Sequence, residues 1–209
     1  MQVETGIDPS QLAWDANGLV PCVTQDWATG EVLTVAYMNA EALARTLETR
    51  EMHFWSRSRE ELWHKGATSG NVQRLRAMRV DCDADALLAL VEPAGPACHT
   101  GERTCFHRSI GTGGVAVHEA LPALARTLAE RRERMPEGSY PARLVSAGQD
   151  RMGAKVEEEA EELVRAAREE SDERLRAEAA DLLYHLAVLL RSRGRALADA
   201  EEVLNGRRR

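Results

Sequence analysis

Three cysteines and three aspartates in the first half of the chain are spaced so that they could hold metal ions. Cys98 and Cys105 are separated by six residues in the Gly- and Pro-punctuated stretch PACHTGERTCFHR, which also supplies His99, and Cys82 lies upstream. Three thiolates can fill three points of a zinc (Zn²⁺) tetrahedron and leave the fourth to water or to His99. A closed Cys3His site would be structural, whereas an open one would bring the pKa of bound water toward about 7 and make a hydrolytic nucleophile. The spacing alone leaves both open. Asp81, Asp83 and Asp85 flank Cys82 in VDCDADALL. If residues 80–85 are extended, a period of two puts the carboxylates on one face and the thiol on the other. Three oxygen ligands suit a hard cation such as magnesium (Mg²⁺), and the thiol suits zinc. The same alternation would also serve a solvated edge strand whose charges discourage pairing.

Between β-rich runs lies FWSRSREELWHKGATSGNVQ, residues 54–73. Trp55, Ser56, Arg57, Ser58, Lys65 and the run Thr68, Ser69, Gly70, Asn71 could bind a phosphate and a base, because glycine permits close approach and hydroxyls and amides satisfy phosphate oxygens. The alternative is a polar hairpin whose Trp residues pack into the core. Of the 27 basic residues only Lys65 and Lys155 are lysine, a retention that is either chance or a sign that a planar guanidinium would not serve there.

The second half carries carboxylates at helical spacing. Glu158, Glu159 and Glu162 stand at i, i+1 and i+4 in VEEEAEELV, and Glu178 and Asp181 at i and i+3 in EAADLL. Such neighbours share a helix face, so two facing helices could bring them together. Acidic runs on helices are usually solvated, and Glu157 and Glu161 fit that description. Glu178 and Asp181 do not, because they interrupt a small and apolar stretch where unpaired charge is costly and bound Mg²⁺ would compensate it.

The elements expected to position these groups differ between the halves. Short β-rich runs, LVPCVTQD, TGEVLTVAYM, MHFWSRSR, VQRLRAMRVDCD and ALLALVEP, alternate with turn residues, and one helix is expected at NAEALARTLETR with Asn39 as cap and Ala42, Leu43, Thr46 and Leu47 on one face. This reads as an α+β, mainly-β domain. After the Gly-rich SIGTGGVAVHE, four antiparallel helical segments follow, Gly194 ending the third. We therefore expect domains at 1–114 and 115–209. Seven of the nine aromatic residues precede residue 110. Cys22, in apolar surroundings, reads as a small buried hydrophobe.

Composition narrows the function. With 44% hydrophobic residues the chain can build ordinary cores, and its net charge of −7 argues against nucleic acid as a partner while allowing local basic pockets for small phosphorylated ligands. No membrane-length apolar run or signal-like start is seen, so a cytoplasmic location is expected.

FWSRSR, LWHKG, TSGN, DCDAD and GPACHTG with its downstream cysteine, together with GLVP and AYMN, occur in the order found in phosphoribosyl-AMP cyclohydrolase, which residues 13–108 resemble. The resemblance implies zinc held by Cys82, Cys98 and Cys105 across a homodimer interface, magnesium at Asp81, Asp83 and Asp85, and a functional His99. It favours the open zinc site. Likewise PEGSYPARL, AKVEEEAEEL and EAADLLYHLAVLL, over residues 121–204, resemble phosphoribosyl-ATP pyrophosphohydrolase and the all-α MazG-like bundle, implying Mg²⁺ at Glu158, Glu159, Glu162, Glu178 and Asp181. Pro141 and Glu157 depart from that pattern. Together the resemblances imply a bifunctional enzyme of histidine biosynthesis. The helical half would hydrolyse phosphoribosyl-ATP, and the first half would open the adenine ring of phosphoribosyl-AMP at the N1–C6 bond. A zinc-stabilised binding module, or a pyrophosphohydrolase acting alone, are the rival readings.

Overall fold

The computed structural model describes residues 8–111, 114, 116–133 and 148–207. The chain divides into two compact units, Met1–Gly114 and Val115–Arg209.

The first unit is built on one six-stranded sheet of spatial order β4-β3-β2-β1-β6-β5. Its strands are β1 (Val20–Asp26), β2 (Val32–Met38), β3 (His53–Ser56), β4 (Glu61–His64), β5 (Gln73–Val80) and β6 (Leu87–Pro93). Neighbours are antiparallel except β1 and β6, which run parallel. In β1 the alternation is strict, with Val20, Cys22, Thr24 and Asp26 turned inward. Cys22 is fully enclosed and burial pushes its thiol up to about 12, so it packs as a small apolar group. Strand pairing does not stop at the sheet edges. Met52 N–H donates to Gln73 O (2.9 Å) and Leu75 N–H to Arg50 O (2.7 Å), joining the lead into β3 to β5 so that the sheet curls into a half-barrel.

Helix α1 (Ala40–Thr49) connects β2 to β3. Asn39 caps it by accepting from Ala42 N–H at 2.8 Å, and the chain leaves it through Arg50 in the left-handed region at φ 59°. Ala42, Leu43 and Thr46 are buried, but Leu47, expected on the same face, is 40% exposed. The sheet covers only a narrow stripe of this short helix. Leu33, Met38, Met52, Phe54, Leu75 and Val91 dominate the core inside the curl. None of the four Trp residues is fully buried, and Trp63 instead packs obliquely on Phe54 from a half-exposed position, ring centroids 5.6 Å apart.

In the second unit the described helices are α2 (Ala120–Glu133), α3 (Gln149–Glu169), α4 (Asp172–Ser192) and α5 (Leu197–Gly206). Ser171 caps α4 by accepting from Arg174 N–H at 3.3 Å, and Asp172 and Glu173 in the first turn complement the helix dipole. The two-residue joint Glu170–Ser171 folds α4 back along α3. Gly194 at φ +72° ends α4, with Arg195 N–H donating to Leu190 O at 3.0 Å. Leu128 of α2, Met152 of α3 and Ala187 and Val188 of α4 form the buried core. Pro141 lies outside the described residues. No helix among the described residues is long and apolar enough to cross a membrane.

Candidate active sites

The aspartates of the first unit are gathered by a turn, not by a strand. β5 ends at Val80 and residues 81–86 are non-extended, which corrects the expected alternation. In an extended strand, carboxylates two residues apart stand about 6.5–7 Å from each other, too far to share one small ion. Asp81 N–H donates to Ala86 O (3.1 Å), Ala86 N–H donates back to Asp81 Oδ1 (3.0 Å), and Ala84 sits in the left-handed region at φ 64°. One carboxylate oxygen each from Asp81, Asp83 and Asp85 then falls within 4.8 Å of the others. The Ala86 N–H holds the Asp81 carboxyl below its usual range, while the hydrogen bond with Asp81 and the charges of Asp83 and Asp81 raise that of Asp85. An exposed anionic cup of this kind suits a hard cation.

Cys98 and Cys105 open and close a tight loop after β6. Cys98 N–H donates to Glu102 O (3.0 Å), Ala97 N–H to Arg103 O (3.0 Å) and Cys105 N–H to Leu33 O of β2 (2.8 Å), with Gly101 at φ +87° turning the chain. Hydroxyls flank both sulfurs: Thr100 Oγ1 donates to Cys98 Sγ at 3.1 Å, and Cys105 Sγ lies 3.3 Å from Thr34 Oγ1. The Thr100 contact holds the Cys98 thiol below its usual range, whereas burial raises that of Cys105. His99 is exposed, its Nδ1 3.9 Å from Cys98 Sγ. Cys82 is exposed on the aspartate turn. Within one chain the three thiols do not converge: the only triads of ligand atoms within 4.8 Å among the described residues are carboxylates.

The expected phosphate segment forms a hairpin and a turn. Trp55 and Ser56 end β3, half-buried, and Arg57 and Ser58 are exposed in the turn to β4. The Arg57 guanidinium lies over the Tyr37 ring, 3.7 Å from its centroid. Thr68, Ser69 and Gly70 are exposed, Asn71 is half-buried, and Gly70 N–H donates to Gly66 O at 2.8 Å. Lys65 turns inward, only 6% exposed, and its Nζ donates to Asn71 O at 3.3 Å. Burial lowers its pKa, opposed by the charges of Cys105 and Cys98, which places the ammonium on the thiol side of the turn.

On the second unit, Glu159 of α3 and Glu178 and Asp181 of α4 bring carboxylate oxygens within 4.8 Å of one another, Glu159 and Glu178 being buried. Glu158 and Glu162 stand outside that triad. Lys155 Nζ bridges Glu158 (3.0 Å) and Glu159 (2.8 Å), Arg165 pairs with Glu162 (3.6 Å), and Arg174 with Glu178. The carboxylates raise the Lys155 pKa, with the Glu159 contact foremost. His185 Nε2 lies 3.5 Å from Glu159 Oε1, and burial lowers the pKa of its ring. Buried carboxylates this close disfavour their shared charge unless a cation compensates it.

Residues 34–107 match the family model for phosphoribosyl-AMP cyclohydrolase and residues 121–208 that for phosphoribosyl-ATP pyrophosphohydrolase. Over 198 residues the chain is 50% identical to the histidine biosynthesis bifunctional protein HisIE of Bacillus subtilis, covering 94% of this chain and 95% of that protein. The chain belongs to the HisIE family. The HisIE protein of Thermus thermophilus is 49% identical over 203 residues, 97% of this chain and 95% of that one. Each of the two family models thus falls within one structural unit and takes in one of the carboxylate triads.

Several neighbours of these candidate clusters were not expected from sequence. Lys155 carried only the signal of its rarity, His185 carried none, and Thr34 and Thr100 are ordinary residues until the fold sets them beside sulfur. Gly95 is a further case, because a Cβ there would be driven into Asn71 Oδ1. Gly95→Ala should therefore displace the Asn71 side-chain amide. If that amide contacts the substrate, its displacement should lower kcat/KM for ring opening by roughly 10-fold or more, measured on phosphoribosyl-AMP, and an unchanged value would separate the Asn71 amide from the site.

Proposed function

We infer that the chain catalyses two consecutive hydrolyses of histidine biosynthesis: phosphoribosyl-ATP to phosphoribosyl-AMP and pyrophosphate in the helical unit, then ring opening of phosphoribosyl-AMP in the sheet unit. The supporting observation is that each unit, matched to its own family model, carries its own ligand-type cluster. The nucleotide substrates follow from those families. The cyclohydrolase family is metal-dependent, and the donor sets fit metals of two kinds: oxygen-only triads for Mg²⁺, thiolates for Zn²⁺.

In the helical unit, Glu159, Glu178 and Asp181 would hold Mg²⁺, with Glu158 and Glu162 flanking, and the cation would neutralise the polyphosphate. Lys155 adds a positive charge beside them, and a carboxylate of this set accepts the proton of the attacking water. In the sheet unit, Asp81, Asp83 and Asp85 would hold Mg²⁺, and zinc bound by Cys98, Cys105 and Cys82 of the partner subunit would supply a hydroxide-strength nucleophile at neutral pH. His99, exposed beside Cys98, moves the proton to N1 as the N1–C6 bond breaks. Arg57 and the Thr68–Asn71 turn bind phosphate, and Trp55, Ser56 and Ser58 line the approach. Lys65, held inward, stabilises the thiolates and the turn together.

Homodimerisation is supported by the separation of Cys82 from the other two thiols within one chain. It is supported again by apolar surface beside Cys105, where Val32, Val35 and Phe106 are 39%, 45% and 58% exposed. The test supplies phosphoribosyl-ATP with Mg²⁺ and Zn²⁺ and follows pyrophosphate release and the absorbance change of ring opening. Both signals are expected. Pyrophosphate without ring opening would defeat the cyclohydrolase assignment, and neither signal would defeat both.

A further inference from the structure

Between the two cysteines of the loop stands a charge cluster that no part of the chemistry uses. Arg103 lies two residues before Cys105 and five after Cys98. Its guanidinium donates through one terminal nitrogen to Asp26 Oδ2 (2.5 Å) and through Nε to Glu31 Oε2. Asp26 is the last residue of β1 and is 5% exposed, while Glu31 directly precedes β2. The other oxygen of Asp26 organises the β1–β2 turn, accepting from Ala28 N–H (2.9 Å) and Thr29 N–H (3.2 Å). Arg103 therefore ties the cysteine loop to a hairpin end that is itself rigidly hydrogen-bonded.

The other ties converge on the same place. Thr104 Oγ1 donates to Val32 O at 2.6 Å, and Cys105 N–H to Leu33 O at 2.8 Å. At its start the loop's backbone hydrogen bonds close on itself, through Ala97 and Cys98 to Arg103 and Glu102, while the Ala97 side chain packs in the sheet core. Cys98 thus takes its position in part from the backbone of residues 102–103, which the Arg103 side chain helps to fix. Removing this cation would take a charge partner from the buried Asp26 carboxylate and another from Glu31 beside it. A guanidinium can serve both at once through its planar fork, and a lysine ammonium can serve them only as a point charge.

We propose that Arg103, through Asp26 and Glu31, is a positioning residue that sets the separation and orientation of the Cys98 and Cys105 thiols, and with it the affinity and geometry of their metal. This rests on the reading that these two thiols hold a metal. Outer partners that orient metal ligands typically contribute about 10- to 100-fold in affinity.

The experiment uses the full chain, stripped of metal and titrated with Co²⁺ as a spectroscopic probe. Wild type is expected to show thiolate-to-cobalt charge-transfer absorption and a tetrahedral d–d pattern; absence of any thiolate band in wild type would sink the metal reading itself. Arg103→Lys and Arg103→Ala are then compared by competition with a chelator. We expect affinity roughly 10-fold lower or weaker still and a changed d–d pattern in both, with tryptophan fluorescence and circular dichroism of the folded protein retained in Arg103→Lys. Wild-type affinity and spectrum in Arg103→Lys would overturn the proposal. Loss of the fold in both variants would overturn it too, because the clamp would then be needed for folding and not for placing the thiols.

Discussion

Cys98→Ala is expected to abolish ring opening while leaving pyrophosphate release within about 2-fold of the parent. Changes to groups that merely orient a ligand cost roughly 10- to 100-fold, so deleting a direct ligand should cost on the order of 10³-fold or more. Cys98 is a strong case because its surroundings favour the thiolate: Thr100 donates to the sulfur at 3.1 Å and the thiol is held below its ordinary range. Metal binding at this position therefore displaces a proton at less cost than from an ordinary thiol. Phosphoribosyl-AMP supplied directly, with ring opening followed by absorbance, isolates the step from its predecessor. Ring opening above a tenth of the parent rate in Cys98→Ala would be incompatible with a metal-held nucleophile at this loop.

The second large effect is the reverse. Glu159→Gln should lower pyrophosphate release by about 10³-fold, by removing a charged ligand and one of the two carboxylate partners of Lys155 together, while ring opening of added phosphoribosyl-AMP continues. Glu159 is 6% exposed and stands between Lys155 Nζ at 2.8 Å and His185 Nε2 at 3.5 Å. Its replacement by an isosteric amide preserves packing and removes only charge. A thermal readout accompanies the kinetic one. Magnesium at about 100 times its dissociation constant should stabilise the parent helical unit by about 2.7 kcal/mol, and that shift should largely vanish in Glu159→Gln. A variant that lost both hydrolytic activities would contradict sites housed in separate units.

How much of this was readable beforehand depends on what physical signal each feature leaves in the sequence. The Asn39 cap and the strands ending in Asp26 and Met38 are local, set by side-chain period and turn chemistry, and they stand where the pattern put them. The chemistry-bearing residues were also legible, because thiols, paired glutamates and alternating aspartates are unusual company. The turn at 81–86 was not. Asp-x-Asp-x-Asp has the period of a strand, and the residue that breaks it, Ala84, adopts φ 64° without being Gly or Asn. A hairpin within residues 54–73 was one of the two readings open, yet its turn residue Glu60, at φ 54° between β3 and β4, gives no more Gly or Asn signal than Ala84 does. Lys155, His185 and the Asp26–Glu31–Arg103 cluster depend on which distant elements meet, information that no window of residues contains.

The joint between α3 and α4 has a consequence for what changes the helical unit can accept. Glu159 lies on one arm of this helical hairpin and Glu178 and Asp181 on the other, and only Glu170 and Ser171 separate the arms. Each residue of a helix advances the side-chain direction by about 100°. One residue added to the second arm between the bend and Glu178 would swing its carboxylates away from the first arm and disturb the Arg174–Glu178 pair. The stretch from the bend to Glu178 works as a length gauge: Glu170 and Ser171 are exposed yet hold Arg165 and Arg174 and cap the second arm, and the count of helical residues beyond them fixes the phase of the two arms.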